Sequence, residues 1–293
     1  MKRTETLHPV NLLIYFVGVL VLTMFTMNPV LVCISFLGAI CFFGTLNGFL
    51  KLAKSLLCAL PIFLVLAATN PIFVHDGETV LFFLNDNPFT LEALLYGGFF
   101  SLMLIAVYYW FASMNRLMTS DVTVYLFGRI IPKLSLVFSM AVGFVPRFKR
   151  YYREINSAQK TMGYYSGKSY SDRIKNKFRV FSALVTVSLE SSVDTADNMR
   201  AKGYGLKGRT SYSIFRWGAG DGTVLALTLA LAVFSFVCIA TGVSVFEYYP
   251  RMSGINLSPV STVMYIAVAA LMFLFTALEV KETMLWRYLR SKI

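Results

Sequence analysis

Residues 134–163 read LSLVFSMAVGFVPRFKRYYREINSAQKTMG, and residues 171–203 read SDRIKNKFRVFSALVTVSLESSVDTADNMRAKG. Both segments are long, basic and amphipathic, and both end on a polar or basic tip followed by Gly-Tyr, at Gly163-Tyr164 and Gly203-Tyr204. Glycine just past a helix takes the left-handed conformation at little steric cost, so both tips read as C-caps. The first segment opens on a 12-residue apolar run, Leu134–Val145. At 1.5 Å per residue such a run covers about 18 Å, too short for a hydrocarbon core of about 30 Å. It is expected to lie in the membrane interface or against another membrane protein. After Pro146 the helix turns basic through Arg147, Lys149, Arg150 and Arg153 and must leave the membrane. In the second segment Phe178, Phe181, Leu184, Val185, Leu189, Val193 and Ala196 form an apolar stripe at three- and four-residue steps. Ser188, Ser192 and Ala196 form a small-residue row that lets another helix cross closely. The expected arrangement is a crossed pair with facing apolar stripes and free tips.

The rest of the chain is membrane helix. Of the 293 residues, 57% are hydrophobic and only 14% charged, and the formal net charge is +12. Mean hydropathy is +0.64, which excludes a soluble globule. Six spans are expected. The first, Val10–Met27, is longer than a signal-peptide core, and no small-x-small cleavage site follows. After a turn at Asn28-Pro29 come Val30 to about Leu46 and about Leu52 to Thr69, the latter bent at Pro61, with a loop opening at Asn70-Pro71. Leu91–Ala112, Thr223–Phe246 and Val260–Val280 complete the set. Cys33, Cys41, Cys58 and Cys238 lack paired metal-ligand spacing and read as packing residues.

Charge orients these spans. Residues 113–222 hold 18 of the 27 Lys and Arg against 7 Asp and Glu. An inside N-terminus puts Lys2, Arg3, Lys51, Lys54, the 113–222 segment and the tail cations Lys281, Arg287, Arg290 and Lys292 in the cytoplasm. It puts the loop with His75, Asp76, Glu78 and Asp86 outside, where Arg251 is the only basic residue. The expected fold is therefore an all-α integral membrane protein of about six transmembrane helices with both termini cytoplasmic. Its regions are 1–112 with four spans, 113–222 with the cytoplasmic helix pair, and 223–293 with two spans.

Several stretches resemble the T component, or transmembrane coupling subunit, of energy-coupling factor (ECF) importers for vitamins and metals such as cobalt. They are LHPV (7–10), NPIFVHDGETVLF (70–82), FTLEALLYG (89–97), TSDVTVYLFGRIIPKLSLVFSMAVGFVPR (119–147) and both tips. The resemblance implies a prokaryotic plasma-membrane protein that is not itself an enzyme. Its tips carry Ala-Arg-Gly-type motifs that dock into grooves on two cytoplasmic ABC ATPase subunits, and a small membrane subunit binds the substrate. ATP and Mg2+ belong to those ATPases, with no cofactor in this chain. By position, Thr161-Met162-Gly163 matches the first motif and Ala201-Lys202-Gly203 the second. The docking residues implied are Lys160, Met162 and Gly163, with Arg200, Ala201, Lys202 and Gly203. Lys202 in place of arginine keeps the charge but loses the planar fork, while Met162 replaces charge by a flexible apolar plug. Lys160, two residues earlier, points to another face.

Other readings compete. A basic residue before a capping glycine also complements the helix dipole. The basic segment also suits a face beside anionic lipid, and it requires no nucleic acid because topology already accounts for the charge. An intramembrane Mg2+-dependent lipid-phosphate or prenyl-transfer enzyme would use Asp194 and Asp197, with Glu190 one turn earlier. That chemistry calls for a second acidic cluster, which the cytoplasmic helices lack. A self-sufficient carrier requires ionisable residues within the spans, and only edge positions such as Glu92 and Glu279 qualify. No GxxxxGK[ST] phosphate loop occurs, so ATP hydrolysis falls to a partner.

Overall fold

Proline placement sets several helix starts. His8-Pro9, Asn28-Pro29, Ile131-Pro132 and Ser258-Pro259 each put proline at the first helical position, where its missing N–H is not needed. The Asn28 side chain caps the helix it precedes, its Oδ1 accepting from Val30 N at 3.0 Å. The computed structural model describes residues 7–84, 87–163, 170–204, 206, 215 and 217–290; Lys2, Arg3, Asp86, Tyr164 and Lys292 lie outside the described residues. The helices are α1 (Pro9–Met24), α2 (Pro29–Asn47), α3 (Phe49–Phe73), α4 (Leu91–Leu117), α5 (Ser120–Ile130), α6 (Pro132–Thr161), α7 (Tyr170–Ala201), α8 (Ala219–Ala240) and α9 (Pro259–Arg290). A short antiparallel hairpin, β1 (Val80–Leu84) with β2 (Asn87–Thr90), precedes α4. The chain forms two compact units, one of residues 1–119 with 215–293 and one of residues 120–214.

Among the described residues five helices, α2, α3, α4, α8 and α9, are long and apolar enough to cross a bilayer. The protein is a multi-pass, all-α membrane protein. The expected sixth span is the 16-residue α1, about 24 Å long by helical rise. It stops at Phe25 because Asn28 must be extended to cap α2.

Within the first unit α4 packs on α1, α2 and α3, and α2 also packs on α9. Tyr15, Phe16, Phe42, Trp110 and Phe275 are fully buried at this centre. Tyr15 stacks on Phe275 with centroids 3.8 Å apart, and its hydroxyl donates to Met272 O at 3.1 Å. Trp110 Nε1 donates to Ser35 Oγ at 3.1 Å, and Ser35 is bonded to Thr23 at 2.7 Å. Each polar atom of this group has a partner, as an apolar solvent demands.

Three expectations are corrected here. Asn70-Pro71 does not open a loop, since α3 runs through Pro61 and Pro71 to Phe73. Val80–Leu84 and Asn87–Thr90 pair as antiparallel strands rather than plain loop. Cys33, Cys41 and Cys58 are exposed on their helices and only Cys238 is buried, because lipid solvates an outward thiol as well as a core does.

The segments that follow α3 and α8 meet each other. Arg251 Nε lies 2.6 Å from Glu78 Oε2, and Glu78 N donates to Pro250 O at 3.3 Å. Asn70 Nδ2 donates to Ala93 O at 2.7 Å and to the Tyr249 hydroxyl at 3.0 Å. Burial pushes the Tyr249 hydroxyl above its ordinary pKa. Thr79 donates through Oγ1 to Glu92 at 2.7 Å, which fixes the entry to α4. The lone cation expected on this side is thus paired with an acid of the acidic loop.

Candidate functional site

The second unit is built from α5, α6 and α7, with α6 packed on both neighbours. Helix α6 passes through Pro146 without ending and stops at Thr161, with Met162 as C-cap. Gly163 follows at φ +80°, and its N–H donates to Lys160 O at 3.1 Å. Helix α7 ends the same way. Gly203 has φ +73° and donates to Arg200 O at 2.9 Å, while Tyr204 N donates to Met199 O at 3.0 Å. This pair of bonds is the Schellman closure, which satisfies carbonyls that the helix end would orphan.

The two tips are therefore superposable in role. Lys160 corresponds to Arg200, Thr161 to Ala201, Met162 to Lys202 and Gly163 to Gly203. Lys160, Thr161, Arg200, Ala201 and Lys202 are exposed, and Met162 is 72% exposed. At 100° per residue the capping position and the residue two before it diverge by about 200°, so each tip shows a basic side chain on one flank and Met162 or Lys202 on the other. Lys160 and Arg200 also face the negative helix ends, which favours their charge. Each tip is compact and exposed. Gly203→Ala is expected to strain the left-handed residue by roughly 1–2 kcal/mol, with its Cβ 3.1 Å from Leu206 Cδ1. Amide exchange at Tyr204 should then rise by about tenfold, which hydrogen exchange measures.

The helix faces differ from the expected ones. The apolar stripe of α7 does not face its neighbour, since Phe178, Phe181, Val185, Leu189 and Val193 are all exposed. The sheltered row is offset from it, running from buried Asn176 and Val180 through half-buried Ala183, Val187, Ser191 and Thr195. Small side chains let helices approach closely, so this row packs and the bulky stripe is left outward. Of the expected small-residue row, Ser188 is half-buried while Ser192 and Ala196 are exposed. On α6, Leu134, Val137 and Val145 are likewise exposed. An apolar groove of about 370 Å3 runs between α5 and α6, lined by Thr123, Phe127, Leu134, Val137, Phe138 and Ala141. Sequence reading missed this groove, and its signal is the apolar face of VTVYLF ahead of Pro132.

Glu190, Asp194 and Asp197 are exposed along α7. Among the described residues no three His, Cys, Asp or Glu side chains gather in a metal-holding group.

Comparison with known proteins supplies the rest. The cobalt transport protein (CbiQ) family matches residues 3–212. An energy-coupling factor transporter transmembrane protein (EcfT) of Bacillus selenitireducens is 35% identical over 102 residues, covering 34% of this chain and 38% of that protein. The protein of the same name from Staphylococcus aureus is 26% identical over 194 residues, covering 62% of this chain and 72% of that one. The matched family region contains α1 to α7 and both tips, so the chain belongs to the cobalt transport protein (CbiQ) family, the transmembrane component of energy-coupling factor transporters.

Proposed function

We propose that the chain couples ATP-driven motion of two cytoplasmic ABC ATPases to a small substrate-binding membrane subunit, for uptake of a vitamin or a metal ion. The observation that carries this reading is the pair of matching capped tips, each ending one of two packed helices in a unit separate from the membrane-spanning one. Closure of the paired ATPases draws their grooves, and with them the tips, together. Packed helices are stiff, so α6 and α7 transmit the displacement. The outward apolar surfaces, Phe178 to Val193 on α7 and Leu134 to Val145 on α6, take the substrate-binding subunit. Both chain ends lie in the cytoplasm, in keeping with the basic residues of 113–222 and the acidic loop paired with Arg251. The chain itself is not an enzyme. Its relatives' names, as energy-coupling factor transporter transmembrane proteins, support the same role.

The test is a gentle-detergent pull-down of tagged chain from its native membrane. Recovery of one or two ABC ATPases and a small hydrophobic protein, with vanadate-sensitive ATP hydrolysis, is the expected result. Recovery of the chain alone would overturn the assignment.

A further inference from the structure

Helix α3 is the least sheltered of the spanning helices, with only Ala67 and Pro71 buried, both near its C-terminal end. Toward its N-terminal end an apolar groove of about 250 Å3 opens between α3 and α4. Ser55, Cys58, Ile62 and Leu66 line one wall and Leu104 and Tyr108 the other. From Ser55 to Leu66 the groove follows α3 for about 16 Å, close to half of a hydrocarbon core of about 30 Å and so to one leaflet.

The two helices are tied at this end. The Tyr109 hydroxyl of α4 donates to Ser55 Oγ of α3 at 3.2 Å, while Arg116 of α4 donates to Asn47 Oδ1 at the end of α2. At this end stand three exposed cations, Lys51 and Lys54 on α3 and Arg116 on α4. Lys51 precedes Ser55 by four residues and Cys58 by seven, and Lys54 precedes Cys58 by four, so both lysines head the same stripe that lines the groove. Helix α3 contains no acid, and the sole acid of α4, Glu92, is at the opposite end.

The geometry points to a binding site for one anionic phospholipid, with an acyl chain in the α3–α4 groove and the headgroup phosphate held by Lys51 and Lys54. A neutral hydrocarbon would use the groove but leave the cations unmatched. A soluble phosphate would use the cations but not the groove. Basic pockets at the ends of spanning helices favour anionic headgroups by a substantial factor per side chain. This site is independent of the helix tips and of the transport role.

Full-length chain in mild detergent, mixed with equal amounts of phosphatidylglycerol and phosphatidylcholine, is read by native mass spectrometry. The unmodified chain is expected to retain one phosphatidylglycerol in roughly tenfold preference. Lys51→Gln with Lys54→Gln should abolish the preference. Leu104→Trp, which fills the groove without touching the lysines, should reduce retention of both lipids. A photoactivatable phosphatidylglycerol should crosslink the unmodified chain within residues 55–66, a reading independent of how the variants fold. Equal retention of the two lipids, an undiminished preference in the double lysine variant, or crosslinks elsewhere would overturn the proposal.

Discussion

A Lys202→Glu chain is expected to lose its ATPases on the order of a hundredfold more readily than the unmodified chain. If the groove that receives Lys202 is acidic, reversing a desolvated charge both removes an attraction and sets like charges together, an effect of about 2–4 kcal/mol. The side chain is exposed and occupies the capping position, one residue before Gly203. Part of the change is local, because a carboxylate at a helix C-terminus opposes the dipole by about 0.3–1 kcal/mol. Lys202→Gln separates the two effects, since it removes the charge without that opposition, and a loss of about tenfold is expected. Lys202→Arg should bind at least as tightly, because the planar guanidinium reaches carboxylates in bidentate fashion. Titrating purified ATPases onto chain held in lipid nanodiscs measures all three. The attraction should also weaken with salt, and less steeply in Lys202→Gln than in the unmodified chain. Equal ATPase affinity across the series would remove Lys202 from the contact. At the other tip, Met162 carries no charge, so Met162→Leu should leave the salt dependence where it is.

The tips are legible in sequence because a capping glycine acts through backbone geometry alone, and the same left-handed turn appears at Gly163 and Gly203. The start of α2 is legible for a similar reason, since Asn28 and Pro29 fix it locally. Other features depend on a partner helix. Helix α7 carries both a bulky apolar stripe and a small-residue row at helical spacing, and periodicity alone does not say which of them packs. In a membrane the usual tie between apolar character and burial also fails, because lipid accepts Phe178 as readily as a core does. The exposed Cys33, Cys41 and Cys58 follow from the same physics. Asn70-Pro71 reads as the opening of a loop, yet the helix continues to Phe73. The tolerance arises from α4, which the local sequence does not contain.

That crossing of α3 and α4 makes Gly97 sensitive to any added side chain. Pro71 has no N–H to give the carbonyl of Ala67, four residues before it, and Gly97 of α4 approaches that same oxygen. A Cβ on Gly97 would sit 2.6 Å from Ala67 O and 2.9 Å from Asn70 Cβ. Both neighbours are held by backbone, so relief requires α3 and α4 to separate. Separation also pulls Asn70 Nδ2 from Ala93 O, now 2.7 Å away, and from the Tyr249 hydroxyl at 3.0 Å. Gly97→Ala is therefore expected to destabilise the chain by roughly 2–4 kcal/mol, combining overpacking with a strained buried hydrogen bond. Gly98, the next residue on the same helix, has nothing within 4 Å of its would-be Cβ. Gly98→Ala should accordingly be neutral or stabilising by up to about 1 kcal/mol through helix propensity. Thermal unfolding of the two variants in one detergent compares them directly, and a lower midpoint for Gly97→Ala alone is the expected outcome. Equal midpoints would mean that α3 is not held at this crossing. Because Ala67 and Pro71 are the only buried residues of α3, this crossing is the most sheltered part of that helix.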